Sequence, residues 1–129
     1  MSSQTNTPDG TMLYHSTPAL TWADAEMLLA TDDPNTISTT LVRLALNDPD
    51  WSRVEQCCLS FSTHPHPQVR EVAAICFGHL ARIHGRLHLE LVLPVLHTLR
   101  NDPAPDVSGV AEDALDDIEM FIGSNGQEQ

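Results

Sequence analysis

Apolar residues recur at steps of three and four between His64 and Gly85. Because an α-helix turns once in about 3.6 residues, this spacing places them on one face of a helix. Pro65 and Pro67 separate this helix from the preceding one, since proline suits a first helical turn and disrupts an interior. Gly85 ends it, as a left-handed C-cap would. The residues predicted on its buried face are Val69, Val72, Ala73, Cys76, Leu80, Ile83 and His84.

The same arrangement recurs between Asp102 and Gly123, after a shift of 38 residues. A period of roughly 40 residues with two helices per unit is typical of HEAT and armadillo repeats. The shift superposes Pro65 on Pro103, Pro67 on Pro105, Val69 on Val107, Ala73 on Ala111, Leu80 on Ile118 and Gly85 on Gly123. The buried face predicted for the last helix comprises Val107, Val110, Ala111, Ala114, Leu115, Ile118, Phe121 and Ile122.

Shorter apolar segments between turn-forming residues predict the remaining helices. Thr21 followed by Asp24 is similar to a capping box with Asp in place of Glu, and Asp50 in the turn NDPD offers a second N-cap. Pro94 lies inside an apolar segment and predicts a kinked helix. The predicted helices span about 21–30, 36–47, 51–64, 64–85, 87–102 and 106–122.

Six helices in three pairs predict an all-α protein, a short α-solenoid of about three HEAT-like helix pairs. Three units are near the minimum for a stable stack, because each unit buries its apolar face only against its neighbours. We predict a flexible N-terminal tail at 1–17, a single HEAT-like helical domain at 18–123 and a C-terminal tail at 124–129.

The chain carries a formal net charge of −12, and its six basic residues are all arginine. Residues 101–129 contain eight acidic residues and no basic one. Such a field repels nucleic acid and anionic membranes and attracts basic partners, so direct binding of nucleic acid is not expected. No apolar run approaches the roughly 18 residues of a membrane span and no secretory leader is apparent, which predicts a cytoplasmic protein without a membrane contact.

Cysteine and histidine give little support for catalysis or metal binding. Cys57 and Cys58 are adjacent and lie with Cys76 on or beside apolar helical faces, which predicts reduced, buried thiols. His79 and His84 are five residues apart, whereas two ligands side by side on a helix need a spacing of about four. No spacing supplies a nucleophile with its base or a desolvated acid–base pair. We therefore expect no catalytic residue, no metal and no cofactor, and a protein that is not an enzyme.

Arg70 lies just inside the helix that follows the paired prolines. In HEAT units an arginine at this place commonly bonds an aspartate of a neighbouring turn, which indicates a structural role. The candidate partners are Asp102 and Asp106 on one side and Asp32 or Asp33 on the other.

An acidic surface on the last helix is the candidate binding site. His79 and Asp117 occupy equivalent positions on two successive second helices, at the flank of the apolar stripe. Second helices line the concave face of such stacks, so these two side chains are expected to be near neighbours on that face. A solvated helix face without a partner is the alternative interpretation. The predicted partner-binding residues are His79, Asp106, Glu112, Asp113, Asp116 and Asp117.

Residues 69–85, VREVAAICFGHLARIHG, and residues 112–123, EDALDDIEMFIG, resemble a group of small bacterial HEAT-repeat proteins. The resemblance covers about residues 51–123. Proteins of this group resemble immunity proteins of contact-dependent growth inhibition and related toxin systems. The resemblance implies a protein that binds a toxin's C-terminal domain in the producing cell and blocks it. The matching positions are Val69, Arg70, Gly78, His79, Leu80, Ala81, Arg82, Ile83, His84, Gly85, Ala114, Leu115, Asp116, Asp117 and Ile118.

The charge and the resemblance together favour one functional hypothesis. Toxin domains of these systems are often nucleases, whose clefts are basic, and an acidic module can cover such a cleft and find it quickly by electrostatic steering. We expect an immunity protein that binds its cognate toxin, a ribonuclease, as a monomer in a 1:1 complex. The alternative is a HEAT-type scaffold or adaptor in a cytoplasmic complex. An enzyme or a metalloprotein is the least favoured of the hypotheses.

Overall fold

The computed structural model describes residues 20–123, and the tails predicted at 1–17 and 124–129 lie outside this range. This part of the chain contains six α-helices and no strand. Because short turns join them, consecutive helices run antiparallel. The fold is a short all-α solenoid of three helix pairs, which confirms the predicted fold class. The helices are α1 (Trp22–Leu29), α2 (Pro34–Asn47), α3 (Trp51–Phe61), α4 (Pro67–His84), α5 (Leu89–Arg100) and α6 (Pro105–Phe121).

Side-chain caps explain where the first three helices begin. Thr21 and Asp50 each accept a hydrogen bond from the backbone N–H three residues later, at 3.1 and 3.2 Å. Both predicted caps are thereby confirmed. α2 begins earlier than predicted, because Asp33 caps it and Pro34 occupies its first position, where a missing N–H costs nothing.

α4 lies at the centre of the fold. It packs against α2 on one side and α6 on the other, and the first helices α1, α3 and α5 pack against these three second helices. Gln68 donates a side-chain hydrogen bond to Asn35 at 2.7 Å, near the starts of α4 and α2. A side chain at Gly85 would reach the carbonyl oxygen of Phe121, near the ends of α4 and α6. The second helices therefore run parallel, with their C-terminal ends along one edge of the solenoid.

The predicted 38-residue repeat is confirmed at both ends of α4 and α6. Each helix has a proline, Pro67 or Pro105, at its first position. Each is followed by a glycine with positive φ, 64° at Gly85 and 63° at Gly123. Glycine adopts this left-handed conformation without the steric cost that a Cβ atom would impose, so it can end both helices.

The repeat extends to the turns that precede these helices. The imidazole Nδ1 of His64 accepts a hydrogen bond from the N–H of His66 at 3.0 Å. At the equivalent place Asp102 accepts one from the N–H of Ala104 at 2.9 Å. Different side chains thus make the same local bond, because each position needs only an acceptor two residues before the N-cap of the helix.

The core is centred on α4, and Ala73, Cys76 and Leu80 are fully buried as predicted. Phe77 is also fully buried, although the apolar pattern does not place it on the buried face. A helix at the end of the solenoid buries one stripe of side chains, whereas α4 is covered by α2 and α6 on its two sides and by the first helices α3 and α5. The buried part of α4 is therefore wider than a single amphipathic face.

The prediction that Ile83 is buried is wrong, because this side chain is 50% exposed. α4 has 18 residues and α2 has 14, and their starts are aligned, so the last turn of α4 extends past the end of α2. Phe121, predicted in the core of the last helix, is 45% exposed at the end of α6. Helical periodicity assigns both side chains to an apolar face, but no neighbour within the described range 20–123 reaches far enough to cover them.

Arg70 forms a bidentate ion pair with Asp102, with N···O distances of 2.8 and 3.0 Å. It also donates to the backbone carbonyls of His64 and Pro65. Asp102 is thus confirmed as its partner among the four predicted candidates. The guanidinium joins the turn before α4 to the turn before α6, and both side chains are largely buried.

We predict that Asp102→Asn lowers the unfolding free energy at pH 7 by about 2–4 kcal/mol, because Arg70 would keep its charge without a full partner. The hydrogen bonds from Arg70 hold the pKa of Asp102 below its usual range. Such a carboxyl stabilises the fold above its unfolded pKa of about 4, and this contribution is lost as the pH falls through the lower folded pKa. Urea unfolding between pH 7 and pH 2 should therefore show a shallower acid dependence in the variant. The same dependence of the unfolding free energy on pH in the wild type and in the variant would contradict a stabilising role of the ion pair.

Glu55 is a fully buried carboxylate that joins α3 to the start of α5. It accepts two hydrogen bonds from His88, at 2.6 Å from the backbone N–H and 2.7 Å from Nδ1 of the ring. These contacts raise the pKa of His88, because the hydrogen bond to Glu55 favours the protonated ring. The His88 ring also lies against Trp51, with their centroids 5.1 Å apart. Both oxygen atoms of this buried carboxylate are therefore satisfied by one residue of the turn after α4.

Candidate functional site

The last helix carries most of the predicted binding residues on its solvent side. Asp106, Glu112, Asp113 and Asp116 are exposed, and none of them has an ion-pair or hydrogen-bond partner among residues 20–123. Asp117 and His79 differ, because both are half-buried and both contact the same arginine. The structure therefore divides the predicted set into four solvated carboxylates and two side chains held by other residues.

The rotation of α6 divides the acidic residues into two groups. At about 100° per residue, Asp106, Asp113 and Asp117 fall within about 40° of one another, on the side that faces α4. Glu112 and Asp116 lie roughly 60° to 140° further round, on the outer surface. The first group borders the contact between the second helices, whereas the second group faces solvent. Two faces of α6 are therefore acidic.

A groove of about 360 Å³ runs between α4 and α6. Its floor is apolar and its rim carries charged side chains from both helices. The groove lies on the face formed by the second helices, which is the face predicted to bind a partner. Its lining residues are Ile75, Gly78, Arg82, Val110, Asp113, Ala114 and Asp117.

Arg82 organises the charged side of this groove. Its guanidinium donates to Asp117 at 2.6 Å and also contacts the Nδ1 atom of His79. Burial lowers the pKa of His79, and the neighbouring Arg82 lowers it further. The ring is therefore held neutral as a hydrogen-bond acceptor for the guanidinium. His79 and Asp117 are brought together as predicted, but through an arginine that the sequence pattern did not assign to the site.

The position of Arg82 could have been inferred from its spacing. It follows His79 by three residues, which places both on the same face of α4. The spacing does not reveal how far α6 is shifted along the axis of α4. This shift decides which carboxylate of α6 contacts the guanidinium.

Gly78 allows α6 to approach α4 at the bottom of the groove. A Cβ atom at this position would lie 2.7 Å from Oδ2 of Asp117 and 3.4 Å from Nη1 of Arg82. The first distance is shorter than any normal contact, so a side chain here would displace the Asp117 carboxylate. Glycine is therefore suited to position 78, because any side chain there would collide with the ion pair between Arg82 and Asp117.

We predict that Gly109→Ala raises the unfolding free energy by about 0.5–1 kcal/mol, whereas Gly78→Ala raises it by clearly less or lowers it. Both glycines lie inside helices, where alanine is intrinsically favoured by that amount. A Cβ atom at Gly109 would have no neighbour within 4 Å, while one at Gly78 would disturb the pair of Arg82 and Asp117. Urea unfolding of the two matched variants measures the difference. Equal gains would show that the ion pair does not depend on the missing side chain.

Metal-ligand geometry and the state of the cysteines describe the other histidine, cysteine and acidic side chains of residues 20–123. No group of three His, Cys, Asp or Glu side chains there is placed to hold a metal ion. Cys57, Cys58 and Cys76 are free thiols. Burial raises the pKa of Cys57, and a hydrogen bond with Cys76 together with burial raises the pKa of Cys58. A raised pKa makes a thiol a poorer nucleophile at neutral pH.

Across the same described helices, none has both the length and the apolar character needed to cross a bilayer.

Residues 54–84 match the HEAT repeat family model. The match begins inside α3 and ends at the last residue of α4, so it corresponds to the central helix pair. Comparison with curated proteins and with solved structures finds no match. The second helix of this pair, α4, also forms one wall of the groove. HEAT-like repeat character of this kind indicates a protein–protein interaction module, because stacked units present an extended surface to other proteins.

Proposed function

We propose that this protein binds one protein partner through the acidic face of α6 and the groove beside it, and that the partner is a toxin domain. In this proposal the protein is an immunity protein that neutralises a nuclease toxin in the cytoplasm of the cell that produces it. It acts by binding alone, as a monomer in a 1:1 complex, and catalyses no reaction.

The observation that carries the proposal is a set of carboxylates that the fold leaves uncompensated. Five exposed acids of α6 have no partner among the described residues. Several are three or four residues apart, and like charges at this spacing destabilise a helix. The last ones also lie near the C-terminus of α6, where the helix dipole disfavours negative charge. The five acids are Asp106, Glu112, Asp113, Asp116 and Glu119.

A helix that is acidic on two faces fits a cleft better than it fits a flat surface. Asp113 lies on the groove side of α6, while Glu112 and Asp116 face outward, so a basic cleft could contact α6 from both sides. Nucleases have such clefts because they bind the phosphates of their substrate. Carboxylates along a helix can occupy the same positions as phosphates and keep the substrate out. The resemblance of residues 69–85 and 112–123 to immunity-type proteins supports the same partner class.

A HEAT-type scaffold in a multi-subunit complex is the second candidate, favoured by the HEAT match at residues 54–84. The two functions differ in the number of partners and in the effect of binding. A scaffold holds several proteins and leaves their activities intact, whereas an immunity protein holds one and abolishes its activity.

We predict that neutralising three outer acids, with Glu112→Gln, Asp116→Asn and Glu119→Gln, stabilises the free protein by about 1 kcal/mol at low salt. Repulsion along α6 is relieved, and the gain should shrink at about 1 M salt, where the Debye length is about 3 Å. Thermal unfolding at two salt concentrations measures it. Asp24→Asn with Glu90→Gln serves as the control, because both acids lie in first turns, where the dipole favours them. A gain in the control alone would contradict the argument.

The function is tested by isolating the partner and assaying it. The tagged protein is expressed in its native host, and bound proteins are identified by mass spectrometry. The C-terminal domain of a single basic partner is then purified and its cleavage of RNA and DNA is measured with increasing amounts of this protein. Loss of cleavage at a 1:1 ratio supports immunity. Several partners, or one partner whose activity is unaffected, would favour the scaffold.

A further inference from the structure

The C-terminal ends of the second helices carry a row of exposed apolar side chains. Six large apolar residues are exposed in residues 20–123, and four of them lie at this one edge. The other two, Met27 and Leu91, belong to α1 and α5. We name these four side chains the apolar row; its members are Leu46 at the end of α2, Ile83 at the end of α4, and Met120 and Phe121 at the end of α6.

The apolar row follows the repeat. Ile83 and Phe121 are equivalent under the 38-residue shift, and Leu46 occupies the last turn of α2. Each unit therefore contributes to the row from the same part of its second helix. Single exposed apolar side chains are common on protein surfaces, but several grouped together mark sites of interaction.

The dimensions of the row suit a short helix. The second helices lie side by side, and packed helix axes are about 9 Å apart, so three of them span roughly 18 Å. A helix of about 12 residues covers this length, since it rises about 1.5 Å per residue. Leu46 lies about one turn behind Ile83, because α4 extends past the end of α2. An amphipathic helix laid obliquely across the three ends could therefore place one apolar side chain against each unit.

The negative charge around the row favours a basic helix as the segment that binds there. The parallel helices direct the negative ends of their dipoles to this edge, and the unpaired Asp116 and Glu119 flank the α6 end of the row. Three arginines lie near the row: Arg82 is paired with Asp117, Arg86 keeps its charge beside the Trp51 ring, and Arg43 lies one turn before Leu46. Five acids outnumber them in the last turns of the second helices and the residues that follow, at positions 48, 50, 116, 117 and 119. A second copy of this chain would bring the same negative charge to the contact, which disfavours self-association.

We infer that the apolar row is a docking surface for a basic amphipathic helix of the protein partner. This inference rests on the proposed binding function, but not on the partner being a toxin. The apolar contacts form the centre of the interface and set how long the complex lasts, whereas the carboxylates of α6 form its rim and accelerate association.

The test uses a defined probe, so that it does not depend on the partner's identity. A fluorescent peptide of about 14 residues is made with leucines on one helical face and arginines beside them. Two control peptides carry the same composition in scrambled order, or glutamate in place of arginine. Binding by fluorescence anisotropy is measured for the full-length protein, for Ile83→Ser with Phe121→Ser, and for Leu91→Ser. Leu91 is as exposed as Ile83 but lies on α5, so it is a matched control.

We expect the amphipathic basic peptide to bind, and the double variant to raise its Kd at least about tenfold, a change of about 1.4 kcal/mol. Leu91→Ser and the wild type should bind alike, and both control peptides should bind weakly. The inference is overturned by absence of binding, by undiminished binding to the double variant, or by equal binding of the scrambled peptide. If sedimentation shows a dimer for the wild type and a monomer for the double variant, the row is instead an interface with a second copy of the chain. Tighter binding after removal of residues 1–17 would assign it to the chain's own tail.

The outcome separates this inference from the proposed function. If the peptide binds through the row but the natural partner proves not to be a toxin, the docking surface stands and immunity fails. If the toxin is neutralised while the row variants bind it normally, immunity stands and the docking surface fails.

Discussion

Ala73→Asp is expected to unfold the protein. Ala73 is fully buried at the middle of α4, between the helices that pack on both of its sides. An aspartate there would bury a carboxyl group without a partner, which costs several kcal/mol whether it ionises or takes up a proton. Its extra volume would also not fit a packed seam. Since a domain of this size is stable by only about 5–15 kcal/mol, one such change is enough to populate the unfolded state.

Circular dichroism and thermal unfolding measure the effect, and Ala23→Asp is the matched control. Ala23 is exposed in the first turn of α1, where the helix dipole favours an acid, so the same chemical change should leave the melting temperature nearly unchanged. A cooperative melt of Ala73→Asp at the wild-type temperature would show that the packing around α4 is looser than the structure indicates.

Asp113→Lys with Asp116→Lys is expected to weaken binding of the proposed basic partner at least about 100-fold, which corresponds to roughly 2.7 kcal/mol. Both side chains are exposed on α6, one on each of its acidic faces, and reversal turns attraction into repulsion. The loss should come mainly from slower association and should shrink as salt is added. Asp117 is deliberately left in place, because its reversal would break the pair with Arg82 and confuse folding with binding.

The fold should tolerate this double reversal. The lysine introduced by Asp116→Lys would follow Glu112 by four residues, an arrangement that stabilises a helix, and a cation near the C-terminus of α6 suits its dipole. Asp32→Lys with Glu90→Lys makes the same change in net charge on other exposed positions and is the control. If both double variants lose affinity equally, the effect is one of overall charge, and the interface does not lie on α6. Surface plasmon resonance at two salt concentrations resolves the two rate constants.

The repeat could be predicted from sequence because its signals are local. Pro67 at the start of α4 and Gly85 at its end act through their own backbones, so they keep their meaning wherever the helix packs. These two features needed no knowledge of the neighbouring helices. The sequence narrows the partner of Arg70 only to four aspartates of neighbouring turns, and the packing of α4 beside α6 selects Asp102.

The exposure of individual side chains and the contacts of the site depend on how far one helix extends along another. The periodicity of apolar residues carries no information about this distance. Ile83 has the right spacing for the core but lies beyond the end of α2, so it is exposed. Arg82 has an ordinary spacing, yet the stagger of α4 against α6 makes it the residue that holds Asp117. The acidic residues were identified, but their separation into two faces follows from the direction in which α6 presents them.

The central position of α4 determines how the molecule can come apart. α2 and α6 each pack on α4 and have little direct contact with one another, whereas α1 is short and packs mainly on α2. The first helix can therefore detach while the remaining helices stay folded, but neither end unit keeps its core once α4 opens. A partner held at α6 would then slow the hydrogen exchange of α2 amides that it never touches, because both helices lose their protection in the same opening event.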